Sequence, residues 1–246
     1  MQLGILMKKL LLIVFVLLVL AILVFVFAFG KEAAAYFRTW ADGRNTAVIS
    51  YIRNPQEHRD WELEALSHCG DAPFALPTSG FIGYLYNDSF SPLKIHQGLD
   101  IFGGTEAGDT AVYAPYDGFL TREEGWKSSL IIRVPEDPLD PERQIWIYMT
   151  HLADAQGNSL IEAKFPPGAS EIPVKTGELL GYQGNYSGNP LRPVGVHLHF
   201  SIVKDDGQGH YLNELKIENT LDPSPYFNIE LNAQTAPKSS PTCQNN

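Results

Sequence analysis

Residues 196–203 read VHLHFSIV, an alternation of apolar and polar side chains. Successive side chains of an extended chain point to opposite faces. Val196, Leu198, Phe200 and Ile202 therefore line an apolar face, while His197, His199 and Ser201 share the other. A single buried histidine is commonly a packing residue held by a hydrogen bond, but two imidazoles on one strand face also suit metal binding or proton transfer. The surrounding sequence has to decide between them.

The same texture runs from Ala72 to Phe227. FIGYLY, GLDIFGG, AVYAPYDGFL, SLIIRV, QIWIYMTHL and ELLGYQG are short apolar or alternating runs punctuated by Gly and Pro, the pattern of strands joined by hairpins. The expected fold class is mainly β: a single antiparallel β-sheet domain over residues 72–227, with a groove where its polar faces and loops meet. At 246 residues and 44% hydrophobic content the chain has the material for such a core. Its formal net charge of −10 leaves no basic footprint able to displace phosphate counterions, which argues against a nucleic-acid partner. Residues 228–246 are polar and turn-rich, and a disordered tail is expected there.

Residues 10–30, LLLIVFVLLVLAILVFVFAFG, carry no charge. At helical rise this run is about 30 Å long, the thickness of a bilayer's hydrocarbon core. It is expected to be a transmembrane helix. The apolar part of a cleaved signal is usually shorter, roughly 7–15 residues. Ala33, Ala34 and Ala35 could nonetheless serve as a cleavage site, and the domain would then be secreted. Lys8 and Lys9 precede the run while Lys31, Arg38 and Arg44 follow it, so the positive-inside count leaves the orientation open. Residues 31–71 hold helix-compatible runs and are expected to form a short helical stalk, the alternative being a segment that lies against the domain and covers part of it. Cys69 and Cys243 make no C-x-x-C pair. One disulfide fastening the tail to the start of the domain and two separate thiols both fit.

Within the β region, IHQGLDI places His96 and Asp100 four residues apart. On an extended strand His96, Gly98 and Asp100 face the same way, and Gly98 leaves the space between the other two open. Zinc accepts imidazole nitrogen and carboxylate oxygen, and a catalytic zinc typically keeps three protein ligands. QIWIYMTHL puts His151 at the end of a strand, where functional groups commonly sit on a rigid scaffold. The chain has no H-E-x-x-H, so a helical site with a glutamate base is excluded and any base is an imidazole.

Taken in order, HQGLD, YMTHL and HLHF resemble the motifs of the lysostaphin-type, or LytM-type, zinc metallopeptidases, which cut peptide bonds in bacterial peptidoglycan. The resemblance covers residues 72–227, including LPTSGFIGYLY before the first motif and LDPSPYF at the close. It implies Zn2+ held by His96, Asp100 and His199, with His151 and His197 as a catalytic pair outside the ligand set. It also implies peptidoglycan peptides as substrate and a catalytic domain on the extracytoplasmic side of a single-pass anchor, with residues 1–9 on the cytoplasmic side; it names no protein partner. Three features depart from the family pattern. The segment LADAQGNSLIEAKFPPGASEIPV is long and proline-rich, NYSGNPLRPVGVHLHF replaces a run of small residues and brings in Arg192, and Ser201 stands where glutamate is most often found. The family also contains members that have lost ligands and regulate other wall hydrolases. Retention of all five positions favours an enzyme over that alternative. APYDGFL and VKTGELLGYQG are similar to biotinyl or lipoyl carrier hairpins as well, a reading that leaves the histidines unexplained.

Overall fold

The computed structural model describes residues 2–91, 94–237 and 241–243, with side chains from Met7 onward. The chain starts with one uninterrupted helix, α1 (Gln2–Ala41), whose sequence contains no proline to break it. It is long and apolar enough to cross a membrane, with none of its most apolar window buried in the protein. Gly43, at φ 74°, turns the chain into α2 (Arg44–Arg53). A 3-10 turn (Pro55–Trp61) then leads into β1 (Glu62–Leu63).

The remaining strands are β2 (Gly80–Tyr84), β3 (Leu99–Phe102), β4 (Ala111–Tyr113), β5 (Gly118–Thr121), β6 (Leu130–Val134), β7 (Ile145–Thr150), β8 (Ile172–Val174), β9 (Leu179–Tyr182), β10 (Leu198–Lys204) and β11 (Thr220–Leu221), followed by α3 (Ser224–Phe227). The main sheet runs β1-β2-β3-β10-β7-β6-β5-β8, with β11 on β10, and β4 and β9 form a separate pair. All pairings between these strands are antiparallel, as the alternating sequence texture predicts. β10 lies between β3 and β7, with His199 opposite Asp100 on one side and Thr150 on the other. That register gathers three separated stretches of sequence at one end of the sheet.

Leu198, Phe200 and Ile202 enter the main core with Leu99, Ile101, Ile147 and Met149, and each of them is at most 1% exposed. Removing such a side chain from water is worth about 1.5–3 kcal/mol, so a one-residue slip of β10 would expose its whole apolar face. A second cluster packs Val48 and Tyr51 of α2 against Phe81 and Phe102.

Two expected regions differ from the structure. Residues 31–71 are not a separate stalk: α2 packs on β2, and β1 joins the sheet edge. The packing of α2 rests on Val48 and Tyr51, its two buried apolar residues. Nor is the start of the tail unstructured. Ile229, Leu231 and Ala233 are buried, and their segment pairs with Tyr86 through Tyr86 N–H to Leu231 O at 3.0 Å and Ala233 N–H to Tyr86 O at 2.8 Å. Cys243 is disulfide-bonded to Cys69. Residues 238–240 and 244–246 of the expected tail lie outside the described residues.

Candidate metal centre

Asp100 projects from β3 and His199 from the facing position of β10. His96 arrives differently from expectation. β3 begins only at Leu99, so His96 sits on the preceding loop rather than on one straight strand with Asp100. The loop is tied to it by His96 N–H to Asp88 O at 2.7 Å and Asn87 N–H to His96 O at 2.9 Å. Gly98 serves backbone approach rather than an open space between ligands: a Cβ there would stand 2.2 Å from the Phe200 carbonyl oxygen, so only glycine lets β10 come this close.

Three ligand atoms meet at the resulting corner. His96 Nε2 is 3.1 Å from Asp100 Oδ1 and 3.1 Å from His199 Nδ1, and His199 Nδ1 is 2.9 Å from Asp100 Oδ1. Metal–ligand bonds of 2.0–2.1 Å in a tetrahedron put neighbouring donors about 3.3 Å apart. The triangle is therefore within a few tenths of an ångström of what zinc requires, and its two-imidazole, one-carboxylate set is one zinc accepts. Each imidazole has its far nitrogen held. His96 Nδ1–H donates to Leu85 O at 3.0 Å, and His199 Nε2–H donates to Glu214 Oε1 at 2.9 Å. Such outer partners choose the tautomer and aim the ring.

The electrostatics follow from burial and from this crowding. His96, Asp100 and His199 are 3%, 6% and 8% exposed. Burial opposes charge on both Asp100 and His199, yet the contacts outweigh it. Asp100 stays well below the usual carboxylate range against His96, His197 and His199. His199, wedged between Asp100 and Glu214, is raised to about 10.

His197 and His151 stand beside the triangle. His197 lies one residue before β10, its Nδ1–H donating to Gly195 O at 2.7 Å and its Nε2 3.6 Å from Asp100 Oδ1. Its ring stacks on Phe102 with centroids 5.0 Å apart. His151 follows β7 in a left-handed conformation, φ 70°, and donates Nδ1–H to Tyr186 O at 2.7 Å. The two rings are 4.4 Å apart between centroids. Both carbonyl contacts leave Nε2 without its proton, available as a base. Burial, more than the neighbouring imidazoles, lowers His151 to about 3, and burial also lowers His197. In the structure all five residues expected from the sequence line one groove of ≈ 1090 Å³.

Sequence reading misses Glu214. It stands in the polar stretch NELK, with nothing local to set it apart from a solvated acid, and reaches His199 only because the chain doubles back after β10. Ser201, two residues beyond His199 on the same strand face, donates to the same carboxylate oxygen at 3.4 Å. The groove wall from α2, including Ile49 and Ile52, is likewise invisible in a segment that reads as a stalk. His58 and His68 make local contacts with Ser50 and Ala72, and His210 lies on an exposed turn.

No protein-family model matches the chain, and no curated protein matches it in sequence. Solved structures do. Csd3 from Helicobacter pylori is 15% identical with a TM-score of 0.35, over 69% of this chain and 36% of that one. The catalytic domain of the prophage-encoded M23 protein EnpA from Enterococcus faecalis, solved as a mutant, is 18% identical with a TM-score of 0.33, over 61% of this chain and 95% of that one. Lysostaphin, solved by NMR, is 17% identical with a TM-score of 0.35, over 61% and 49%. The match thus spans about a third of Csd3 and half of lysostaphin. At these values nothing about activity is carried over, and the functional reading rests on side-chain geometry.

Proposed function

We propose that the chain is a membrane-anchored zinc metalloendopeptidase that hydrolyses peptide bonds in bacterial peptidoglycan. The observation that carries the reading is the buried triangle of His96 Nε2, Asp100 Oδ1 and His199 Nδ1 with two further imidazoles beside it. His96, Asp100 and His199 would hold zinc, which supplies Lewis acidity toward a scissile carbonyl and toward water. His151 and His197 do the proton work. Their Nδ1–H groups are occupied by the carbonyls of Tyr186 and Gly195, so each presents a basic Nε2 to the groove. One takes a proton from the attacking water, and the other, once protonated, donates to the developing oxyanion or the leaving amine. Glu214 keeps His199 in the tautomer whose Nδ1 faces the triangle.

The anchor reading is supported by α1, whose apolar run exceeds a typical signal core. The Cys69–Cys243 disulfide belongs to an oxidising compartment, which supports the folded domain lying outside the cytoplasm and Lys8 and Lys9 inside. The test is zinc content together with muropeptide release, measured on the full chain in detergent against purified peptidoglycan, with products identified by mass spectrometry. About one zinc per chain and new amino termini are expected. His199→Ala is expected to lose zinc and hydrolysis together, and His197→Ala to lose hydrolysis with zinc kept. Bound zinc without cleavage would reverse the enzymatic reading in favour of a regulator of other wall hydrolases, and no zinc at all would remove the ligand assignment.

A further inference from the structure

The apolar run ends at Gly30, and the helix continues without a break to Ala41. At helical rise, Glu32 stands about 3 Å and Thr39 about 13 Å beyond Gly30. Glu32 already lines the catalytic groove. Ala35 and Thr39, on the same face of α1, are 3% and 0% exposed against the domain. No flexible linker separates the apolar run from the folded domain.

The junction is clamped by buried polar contacts, all directed at one loop. Thr39 Oγ1–H donates to Asp88 Oδ1 at 3.0 Å and accepts Ser89 N–H at 2.8 Å, Arg38 donates to Asn87 O at 2.8 Å, and Arg44 pairs with Asp88 at 3.2 Å. That loop also holds His96 through Asp88 O and Leu85 O. The helix end and a metal-facing histidine are therefore parts of one rigid unit. α2 then returns along the groove, with Asn45 accepting a hydrogen bond from the Tyr84 hydroxyl at 2.7 Å and with Ile49 and Ile52 on the groove wall.

Headgroups occupy about 5–7 Å on each side of the hydrocarbon core, so one wall of the groove starts within the headgroup layer. A domain held rigidly there meets substrates at the bilayer surface at high effective concentration and cannot reach those held well beyond it. We infer that the groove takes a peptide that is itself anchored in the same membrane, at the bilayer surface, rather than wall material held at a distance. This deepens the peptidase reading above, rests on it, and requires that α1 stay in the bilayer.

The test uses the full chain in phosphatidylcholine vesicles containing a headgroup-labelled acceptor lipid, with a donor dye on Lys216→Cys, an exposed groove-lining position, for energy transfer only, the unlabelled chain for cleavage, and the native disulfide intact in both. The comparison variant carries 40 Gly/Ser residues inserted after Lys31, a tether with a mean span of about 35 Å that leaves the Thr39–Asp88–Arg44 clamp in place. The peptide probe is the wall stem peptide bearing a palmitoyl anchor, displayed either directly or on 15 prolines that hold it about 45 Å out. Energy transfer to the lipid is expected in the parent and several-fold less after the insertion. The parent is expected to cleave the directly displayed peptide at least tenfold faster than the raised one, and the insertion to narrow that ratio to within threefold. Equal cleavage of both peptides by the parent, or absent transfer, would overturn the inference. So would a mature chain beginning at Tyr36. Transfer without cleavage of either peptide would remove the peptidase reading, and the substrate assignment with it, while leaving the placement of the domain.

Discussion

Replacing Asp88 tests whether the helix end and the His96 loop are one unit. The Asp88 side chain is fully buried: Oδ1 meets the Thr39 hydroxyl and Arg44, and Oδ2 accepts Leu85 N–H at 2.7 Å. Asp88→Ala removes these acceptors and leaves Arg44, itself 5% exposed, without its counter-charge. Breaking one side of a buried pair costs about 3–5 kcal/mol. Replacing both sides is a different experiment. Burial raises the Asp88 carboxyl more strongly than Arg44 and the hydrogen bonds lower it, so desolvation outweighs what the carboxylate gains by attraction. The double variant Asp88→Leu, Arg44→Met is therefore expected to cost less than about 2 kcal/mol, since apolar replacement of a whole buried pair is often close to neutral. Urea unfolding in detergent, followed by tryptophan fluorescence, measures these together with the single variants Asp88→Leu and Arg44→Met, and the cost of the double variant minus the sum of those two single costs is the coupling energy of the cycle. Zinc titration of the same variants reads the loop, because Asp88 O receives His96 N–H. The single variant is expected to bind zinc more weakly. A cost below about 1 kcal/mol for Asp88→Ala, or additive single and double variants, would refute the reasoning.

Three further outcomes follow from the site. Glu214→Ala removes the carboxylate on His199 Nε2–H, so in metal-free protein the His199 titration is expected to move down from about 10; histidine-detected NMR across pH 6–11 reads it, and an unmoved midpoint would contradict the contact. Because that raised midpoint means His199 holds its proton at neutral pH, zinc uptake has to expel it. Apparent zinc affinity is then expected to rise about tenfold per pH unit between pH 7 and 10, and a flat chelator-competition profile would count against Nδ1 as a ligand. His151 has the opposite sign. Its midpoint is lowered to about 3, chiefly by burial, so stability present above the unfolded value of about 6.5 is lost as pH falls from there toward 3, and in metal-free protein His151 alone contributes a loss of about 2 kcal/mol between pH 7 and 5. Replacing His151 by Gln should remove that acid sensitivity in urea titrations at the two pH values.

The parts of this molecule that are legible in the sequence are those governed by a short period. VHLHFSIV separates its faces because side chains alternate on a strand, and Leu198, Phe200 and Ile202 are buried as that alternation requires. His151 is readable as a strand-end residue from the apolar run before it, though not its left-handed backbone. What the period cannot supply is the approach of segments far apart in the chain. Spacing alone puts His96 and Asp100 on one straight strand, yet they converge across a loop whose shape depends on Thr39 and Arg44, some fifty residues away. The same holds for Glu214, and for the tail, where Leu231 pairs with Tyr86.

This difference has a physical basis that bears on the site itself. The two residues of the triangle set by strand register, Asp100 and His199, are opposite each other on neighbouring strands, and any sequence keeping the β3–β10 alternation keeps them so. His96 owes its place to a loop, and loops are fixed by contacts whose partners lie anywhere in the chain. Here the partners are on the helix that leads out of the apolar run. The least locally encoded corner of the triangle is thus the one coupled to the segment that follows the apolar run. A change in how α1 seats against Asp88 would reach the triangle through His96 before it touched Asp100 or His199.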